Sequence, residues 1–105
     1  MPSPRVVLVT CPDLGSAKTL AHALVERRLV ACANLVPGVT SVYRYEGEVH
    51  EDAEVLLVCK TVAERLGGLE AALAELHPYD VPECVALAPE RVEAGYLAWL
   101  VEETR

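Results

Sequence analysis

The longest pattern in the chain is a stretch of β-branched and aromatic residues over positions 31–61, which predicts one long β-hairpin. Glu46-Gly47 lies between the two arms, where a tight turn needs the positive φ that glycine tolerates. Pro37 cannot donate a hydrogen bond to a neighbouring strand, and Gly38 accepts unusual backbone angles. We therefore expect a bulge or kink at these two residues.

The predicted hairpin is long for a chain of 105 residues. An arm of roughly 14 residues at about 3.3 Å each would span ~45 Å if it were straight. A compact domain of this size has a radius of gyration of ~13 Å and a diameter near ~33 Å. The hairpin must therefore bend or extend beyond its own domain. Because an extended apolar hairpin leaves open edges that another subunit would cover, we expect an obligate oligomer.

The segments before the hairpin read as a strand and a helix. Residues 5–11 are a continuous apolar run that predicts a buried strand. Asp13 or Ser16 is placed to cap the helix that follows. The apolar stripe of this helix consists of Ala17, Leu20, Ala21, Leu24 and Val25. His22 falls outside the stripe and is expected to be a solvated surface histidine.

After the hairpin, a second helix is predicted to begin at a capping box formed by Thr61 and Glu64. Its apolar stripe consists of Val62, Leu66, Leu69, Leu73 and Leu76, with Ala72 beside it. Gly67-Gly68 lies inside this helix, so either the helix is locally weak or another backbone packs closely there. A short strand over residues 84–88 and a helix over residues 90–103 complete the pattern.

The element order is βαββαβ followed by a C-terminal helix, which predicts an α+β domain of the ferredoxin-like type. In that arrangement two helices cover one face of a four-stranded antiparallel sheet. The other face would be bare in a monomer, and oligomerisation is the simplest way to cover it. We expect residues 1–105 to form a single domain.

Charge and composition exclude several classes of function. The formal net charge is −7 and there is no basic stripe, which argues against nucleic-acid binding. Hydrophobic residues make up 52% and charged residues 24%, as in a globular protein rather than a disordered one. No apolar run approaches the ~20 residues of a membrane span, and no leader opens the chain. We expect a cytoplasmic protein that binds no membrane.

The four cysteines form no C-x-x-C motif. Cys11, Cys32, Cys59 and Cys84 fall in different apolar segments, as expected of small buried residues in a reducing compartment. If the hairpin turns at Glu46-Gly47, Cys32 and Cys59 lie within about two residues of being cross-strand neighbours. A thiol pair is one alternative, and simple core packing, which we favour, is the other.

Two polar stretches are candidates for chemistry. The predicted hairpin tip, residues 46–54, carries five carboxylates and one histidine. It either binds a hard cation or, as we favour, protects an open edge with charge. In the connector, residues 77–83, two prolines hold His77, Tyr79 and Glu83 in restricted positions. These groups either bind a metal or small ligand, or belong to a structural connector.

Signatures of catalysis are not found in the sequence. There is no G-x-S-x-G, no Cys-His signature and no phosphate-binding glycine loop. The acylphosphatase type of ferredoxin-like enzyme has a glycine-rich early loop with an arginine, whereas here Val9-Thr10 is followed by Cys11-Pro12-Asp13. We therefore predict that the protein is not an enzyme.

Several short motifs, in one order along nearly the whole chain, resemble the CutA family of divalent-cation tolerance proteins. They lie at residues 9–12, 29–38, 41–48, 60–61, 77–83 and 96–100. The resemblance implies a ferredoxin-like subunit in a homotrimer similar in architecture to PII signalling proteins, with long hairpins pairing between neighbours. It also implies binding of divalent cations, copper in particular, a role in metal tolerance, and no catalytic reaction.

The resemblance also implies site residues. In the bacterial member most tied to copper, ligands are assigned to a first-strand cysteine and to two successive histidines before Pro-Tyr. His77 matches the second histidine, whereas Leu76 and Val9 occupy the other two positions. Cys11 lies two residues after Val9 and points to the same face. Cys32 matches the family's Ala-Cys position, so His77 and Cys32 are the predicted metal ligands.

The residues, together with what the resemblance implies, predict a trimeric, non-enzymatic protein that binds a divalent cation at subunit interfaces. The site would lie around His77, with Tyr79 and Glu83 in the ligand cleft and Cys32 as a soft ligand. Two alternatives stay open. One is a PII-like sensor that binds a small organic ligand in the inter-subunit cleft, and the other is a structural trimeric scaffold without a ligand.

Overall fold

The computed structural model describes residues 2–105. It contains the strands β1 (Pro4–Cys11), β2 (Cys32–Tyr45), β3 (Glu48–Val62) and β4 (Val85–Leu87), the helices α1 (Leu14–Glu26), α2 (Leu66–Leu76) and α3 (Ala94–Glu103), and a 3-10 turn at Ala63–Arg65. The strands form one antiparallel sheet in the order β2-β3-β1-β4. The predicted α+β fold, βαββαβ with an extra C-terminal helix, is confirmed. No helix within residues 2–105 is long and apolar enough to cross a membrane.

The predicted hairpin is formed by β2 and β3. Its turn residues, Glu46 and Gly47, have φ values of 50° and 80°, the two positive values of a type I′ turn, whose twist matches that of the strands. The strand register shifts between Val36 and Val39, where Gly38 has a φ of 79°. The expected turn and the expected bulge are both confirmed.

The far half of the hairpin extends beyond the rest of the sheet. β1 pairs with β3 only as far as Val55. Residues 40–53, here called the overhang, therefore pair only with one another among the residues described. The molecule measures 43 × 26 × 22 Å, and in the overhang Val42 is 65% exposed and Val49 63%. The extension predicted from the length of the arms is confirmed.

The helices α1 and α2 pack on one face of the sheet. α1 begins where the side chain of Asp13 accepts a hydrogen bond of 2.7 Å from the backbone N–H of Ser16. His22 is exposed, as predicted, and Val25 is 41% exposed and lies outside the core. The core of this face consists of Val7, Val9, Cys11, Ala17, Leu20, Ala21, Leu24, Val30, Val55, Leu57, Cys59, Leu69, Ala72 and Leu73.

The other face of the sheet, here called the open face, is covered by α3 at one end, where Leu100 is buried. Val6 and Leu8 point to this face because their neighbours in β1 belong to the helix-covered core. They pair with Leu87 and Val85 of β4, which are 48% and 46% exposed. The open face is therefore apolar and still half accessible in a single chain.

The predicted capping box at the start of the second helix is wrong. Thr61 lies in β3, and its hydroxyl donates a hydrogen bond of 2.6 Å to the carbonyl oxygen of Leu29. The side chain of Glu64 accepts a hydrogen bond of 3.3 Å from the backbone N–H of Ser3. The strand continues one residue further, and a 3-10 turn at Ala63–Arg65 leads into α2.

The last helix begins at Ala94, four residues after the predicted start. Glu93 has an extended backbone, and its carboxylate accepts hydrogen bonds from the backbone N–H groups of Gly95 at 2.7 Å and Tyr96 at 3.1 Å. This side chain satisfies N–H groups that the first turn leaves free, so it fixes where the helix begins.

The glycine pair in α2 has an explanation at its second position. A Cβ atom on Gly68 would lie 2.9 Å from a methyl carbon of Leu29, whereas a Cβ on Gly67 would meet nothing within 4 Å. A side chain, and not another backbone, therefore packs closely against the helix at Gly68.

Candidate functional site

A cleft of about 780 Å³ opens between the hairpin and the connector that follows α2. Tyr43 and Glu54 line it on the hairpin, Thr10 at the end of β1, and Tyr79 and Glu83 on the connector. This volume lies within the range of pockets that hold small molecules. Tyr79 and Glu83, which the sequence predicts for a ligand cleft, therefore line one concave site.

His77 fixes the connector to the end of β1. The residue is 8% exposed. Nε2 lies 2.8 Å from the carbonyl oxygen of Thr10, and Nδ1 lies 3.0 Å from the backbone nitrogen of Tyr79. The thiol of Cys11 lies 3.7 Å from Nε2. Both ring nitrogens are thus in hydrogen-bonding contact with the chain itself.

Tyr79 is the link between the connector and the hairpin. Its hydroxyl donates a hydrogen bond of 2.8 Å to Oε2 of Glu54, and its ring packs 4.9 Å from the ring of His77. Burial, followed by the hydrogen bond to Glu54, raises the pKa of Tyr79 well above its usual range. Tyr79 therefore stays protonated and acts as a donor to the carboxylate.

The cleft is acidic. Glu54 is only 9% exposed, and Glu83 has a raised pKa because of burial and, after that, the negative charge of Glu54. Asp80 is the third carboxylate of the lining, and the described lining contains no Lys or Arg. The arrangement concentrates negative charge in a partly desolvated space, which favours a cationic ligand.

Cys32 lies at the other end of the open face. It pairs with Lys60 of β3, and its sulfur lies 3.6 Å from the hydroxyl of Tyr96 on α3. Since Thr10 pairs with Leu56, the two regions are four residues apart along β3, or ~13 Å. Within one chain the structure therefore does not bring Cys32 and His77 together.

The predicted closeness of Cys32 and Cys59 is confirmed, but the two thiols face opposite sides of the sheet. Cys59 pairs with Ala33, one position away from Cys32, and side chains alternate between faces along a strand. All four cysteines are free. Burial raises the pKa of Cys59 to about 12 and that of Cys11 to about 11, so both behave as protonated core residues.

The acidic hairpin tip forms local contacts. Asp52 accepts a hydrogen bond of 2.5 Å from the hydroxyl of Tyr43. His50 stacks on the ring of Tyr43 at 5.4 Å. No group of three or more potential metal-binding side chains occurs in residues 2–105 of a single chain. The tip is consistent with the favoured interpretation of a charged surface.

Glu54 is the site residue that sequence reasoning did not single out. The sequence grouped it with the exposed tip, yet it directly precedes the apolar run that begins at Val55 and lies at the cleft. The strand register decides this, because even-numbered positions of β3 share the open face with Thr10. Its position in the sequence, between the polar tip and the apolar run of the strand, was the signal that could have indicated a partly buried carboxylate.

The fold and the cleft together define a class of protein. It is a small α+β protein of ferredoxin-like order, with an extended hairpin and an acidic, ligand-sized cleft on the open face of its sheet. Within this class, the family model described as CutA1 divalent ion tolerance protein matches residues 5–103. The chain belongs to this family.

Relatives agree with the family assignment. The "Divalent-cation tolerance protein CutA" of Thermus thermophilus is 52% identical over 100 residues, which are 95% of this chain and 97% of that protein. Human "Protein CutA" is 41% identical over 102 residues, which are 97% of this chain but 57% of that protein. The chain thus spans little more than half of the human relative.

Solved structures show the same fold. The divalent cation tolerance protein Cut A1 from Thermus thermophilus has a TM-score of 0.94 at 50% identity, covering 97% of this chain and 99% of that one. The periplasmic divalent cation tolerance protein CutA from Archaeoglobus fulgidus has a TM-score of 0.93 at 27% identity, covering 97% and 99%.

Proposed function

We propose that this chain forms a homotrimer that binds a divalent cation, copper first, without catalysing a reaction, and that it acts in metal tolerance. The observation that carries the proposal is the acidic cleft, whose described lining contains three carboxylates and no Lys or Arg. The chain also belongs to a divalent ion tolerance family. Copper(II) heads the general affinity order of divalent metals and accepts oxygen as well as nitrogen ligands.

The open face supports the trimer. A monomer would leave Val85 and Leu87 about half exposed, together with the overhang and its Val42 and Val49. Apolar surface of this kind is usually covered by a partner. An extended hairpin also has open strand edges, which soluble proteins usually protect from pairing with other chains. Three copies related by a rotation axis would cover the face while leaving no chain unpartnered.

The carboxylates of the cleft share one cavity, whereas Cys32 and His77 do not. Since no group of three potential ligands occurs within residues 2–105 of one chain, a complete site at the cleft would also need ligands from another subunit or from water. Glu54 and Glu83 are oxygen donors on the walls of one cleft. Cys32 and His77 lie at different ends of the sheet within one chain, so binding by both requires ligands from different subunits. Their assignment as metal ligands stays a prediction.

Calorimetric titration of Cu(II), Cu(I) and Zn(II) into metal-free protein tests the proposed function. We expect Cu(II) and Zn(II) to bind at one ion per chain, which in a cyclic trimer equals one ion per interface. The variant C32S tests Cys32 as a ligand, and H77A shows whether His77 matters for binding, either as a ligand or by positioning the connector. Flat isotherms for all three metals at micromolar protein would contradict cation binding.

A second candidate, a sensor of a small organic ligand, is favoured by the size of the cleft. A volume of about 780 Å³ exceeds what one ion needs, and Tyr43, Tyr45 and Tyr79 add aromatic walls. A thermal-shift screen separates the two functions because a ligand that binds the native state raises Tm. A structural scaffold would respond neither to metals nor to the screen.

We also propose a cytoplasmic location. The support is the four free cysteines, which are usual in a reducing compartment. The Archaeoglobus relative carries the word periplasmic in its name, so fractionation of cells that express the full-length protein is the test. Recovery in the periplasm or an organelle would contradict the proposal.

A further inference from the structure

Each ring nitrogen of His77 faces a backbone group with a single possible role, whereas the Cys11 thiol, 3.7 Å from Nε2, can donate or accept and does not decide the tautomer. The carbonyl oxygen of Thr10, 2.8 Å from Nε2, only accepts hydrogen bonds. The backbone N–H of Tyr79, whose nitrogen is 3.0 Å from Nδ1, only donates. The proton of a neutral imidazole must therefore be on Nε2, and the lone pair on Nδ1 is already in use.

We infer that His77 is a positioning residue and not a metal ligand: its neutral ring ties the connector to β1 and holds Tyr79 against Glu54. The role of the His77 ring follows from its two hydrogen bonds alone. The consequence for cations rests on the proposed function: without His77, the carboxylate oxygens of the cleft would be the ligands of a metal ion.

A metal ion needs a free nitrogen lone pair, and His77 has none in this arrangement. Binding at Nδ1 would displace the N–H of Tyr79, and binding at Nε2 would remove the proton and the contact with Thr10. The residue is only 8% exposed, so either displaced group would lose its partner with little water to replace it. A buried polar group without a hydrogen-bond partner is strongly unfavourable.

The positioning acts through Tyr79. His77 contacts it twice, through the backbone N–H and through the ring at 4.9 Å. The hydroxyl of Tyr79 then donates to Oε2 of Glu54, which lies across the cleft on β3. Loss of the His77 ring would free the connector and release the donor that orients this carboxylate.

The protonation state of the ring is measured in the double variant H22Q/H50Q, in which His77 is the remaining histidine of three. His22 is exposed on α1, and His50 is in the overhang. A long-range proton–nitrogen NMR spectrum of the metal-free, 15N-labelled protein should show a proton on Nε2 and an unprotonated Nδ1 at neutral pH. A proton on Nδ1, or averaging between the two forms, would overturn the inference.

Copper binding is tested in the same double variant by electron paramagnetic resonance with Cu(II). Replacing 14N-histidine by 15N-histidine changes the nitrogen hyperfine pattern only when histidine is a ligand. We expect identical spectra for the two labels, and a label-dependent pattern would overturn the inference. If Cu(II) does not bind at all, the proposed function fails while the NMR measurement still decides the role of His77.

Three substitutions of His77 separate positioning from ligation. In H77Q the amide N–H can replace Nε2 as donor to Thr10, and in H77N the amide oxygen can replace Nδ1 as acceptor for Tyr79. We expect H77A to weaken Cu(II) affinity by about tenfold, as is typical of residues that orient ligands. At least one amide variant should restore most of it. If both amide variants bind as poorly as H77A, and the label-dependent pattern is present in the histidine form, the ring is a ligand.

Discussion

Both faces of the sheet carry apolar side chains, but the two faces have very different environments. On the helix-covered face Val7, Val9 and Leu57 are fully buried. On the open face Val85 and Leu87 keep almost half of their accessible surface, and the carboxylate of Glu54 lies on the same side. A face that carries apolar side chains and, near the hairpin, an acidic cleft is suited to a partner and a ligand, so our proposal assigns assembly and binding to one surface.

The largest expected effect is a difference in the free energy of unfolding between a truncation on the helix-covered face and one on the open face. Leu57→Ala removes a fully buried side chain from the core, and such truncations cost about 2–5 kcal/mol. Leu87→Ala removes a side chain that is half exposed in a single chain, so in the dissociated chain it should cost clearly less. Urea unfolding at one protein concentration, low enough to dissociate the assembly, measures both, because assembly makes stability concentration-dependent. Equal losses in the dissociated chain would mean that the two faces are equally buried without a partner.

The next effect tests the open face as an interface. Leu87→Asp places a charge on the apolar surface, which would cost the ~1.5–3 kcal/mol of burying a leucine in each subunit and add the desolvation of a carboxylate. We expect sedimentation velocity to show a shift from trimer towards monomer. Val25→Asp on α1 is the matched control, since Val25 is 41% exposed and Leu87 48%. Dissociation by both variants, or by neither, would remove the open face as the interface.

A third prediction separates binding from stability at Glu54. Glu54→Gln keeps an acceptor for the hydroxyl of Tyr79 but removes a buried charge. We expect cation affinity to fall by at least about tenfold, which is ~1.4 kcal/mol, while the metal-free protein is as stable as wild type or more stable. Calorimetry and urea unfolding measure the two effects. Glu51→Gln in the exposed overhang is the control, and an equal loss of affinity there would mean that the cation is not in the cleft.

The smallest expected effect lies at the start of α3, which covers one end of the open face. The backbone N–H groups of Gly95 and Tyr96 lower the pKa of Glu93. A lowered folded-state pKa stabilises the fold above the unfolded pKa, and this contribution is lost as pH falls through the folded value. The Tm of wild type should exceed that of E93Q at neutral pH, and the difference should shrink in acid. A constant difference from neutral pH to strong acid would contradict the role of the carboxylate.

The sequence predicted the elements that depend on local chemistry. The turn at Glu46-Gly47, the bulge at Gly38 and the cap at Asp13 each follow from the conformational or hydrogen-bonding properties of a few adjacent residues. The ferredoxin-like arrangement followed from the order of the elements. Where two local signals competed, as at Thr61, tertiary contact decided: its hydroxyl bonds to Leu29 rather than capping a helix.

The site depended on register, which the sequence did not determine to one residue. A difference of one position places Cys32 on the open face and Cys59 in the core. The same alternation determines that the side chain of Glu54 lies in the cleft beside Tyr79 and not on the exposed tip. The contacts of His77 with Thr10 join parts of the chain 67 residues apart, and local patterns contain no information at that distance.

The central claim is that the open face is both the interface of an assembly and the site of a cation. Native mass spectrometry of the wild-type protein, purified without chelator, tests both parts in one measurement. The account predicts a trimer that carries the additional mass of bound divalent metal. A monomer at micromolar concentration would contradict the interface and the site built on it, and a trimer without additional mass after incubation with Cu(II) would contradict the cation site.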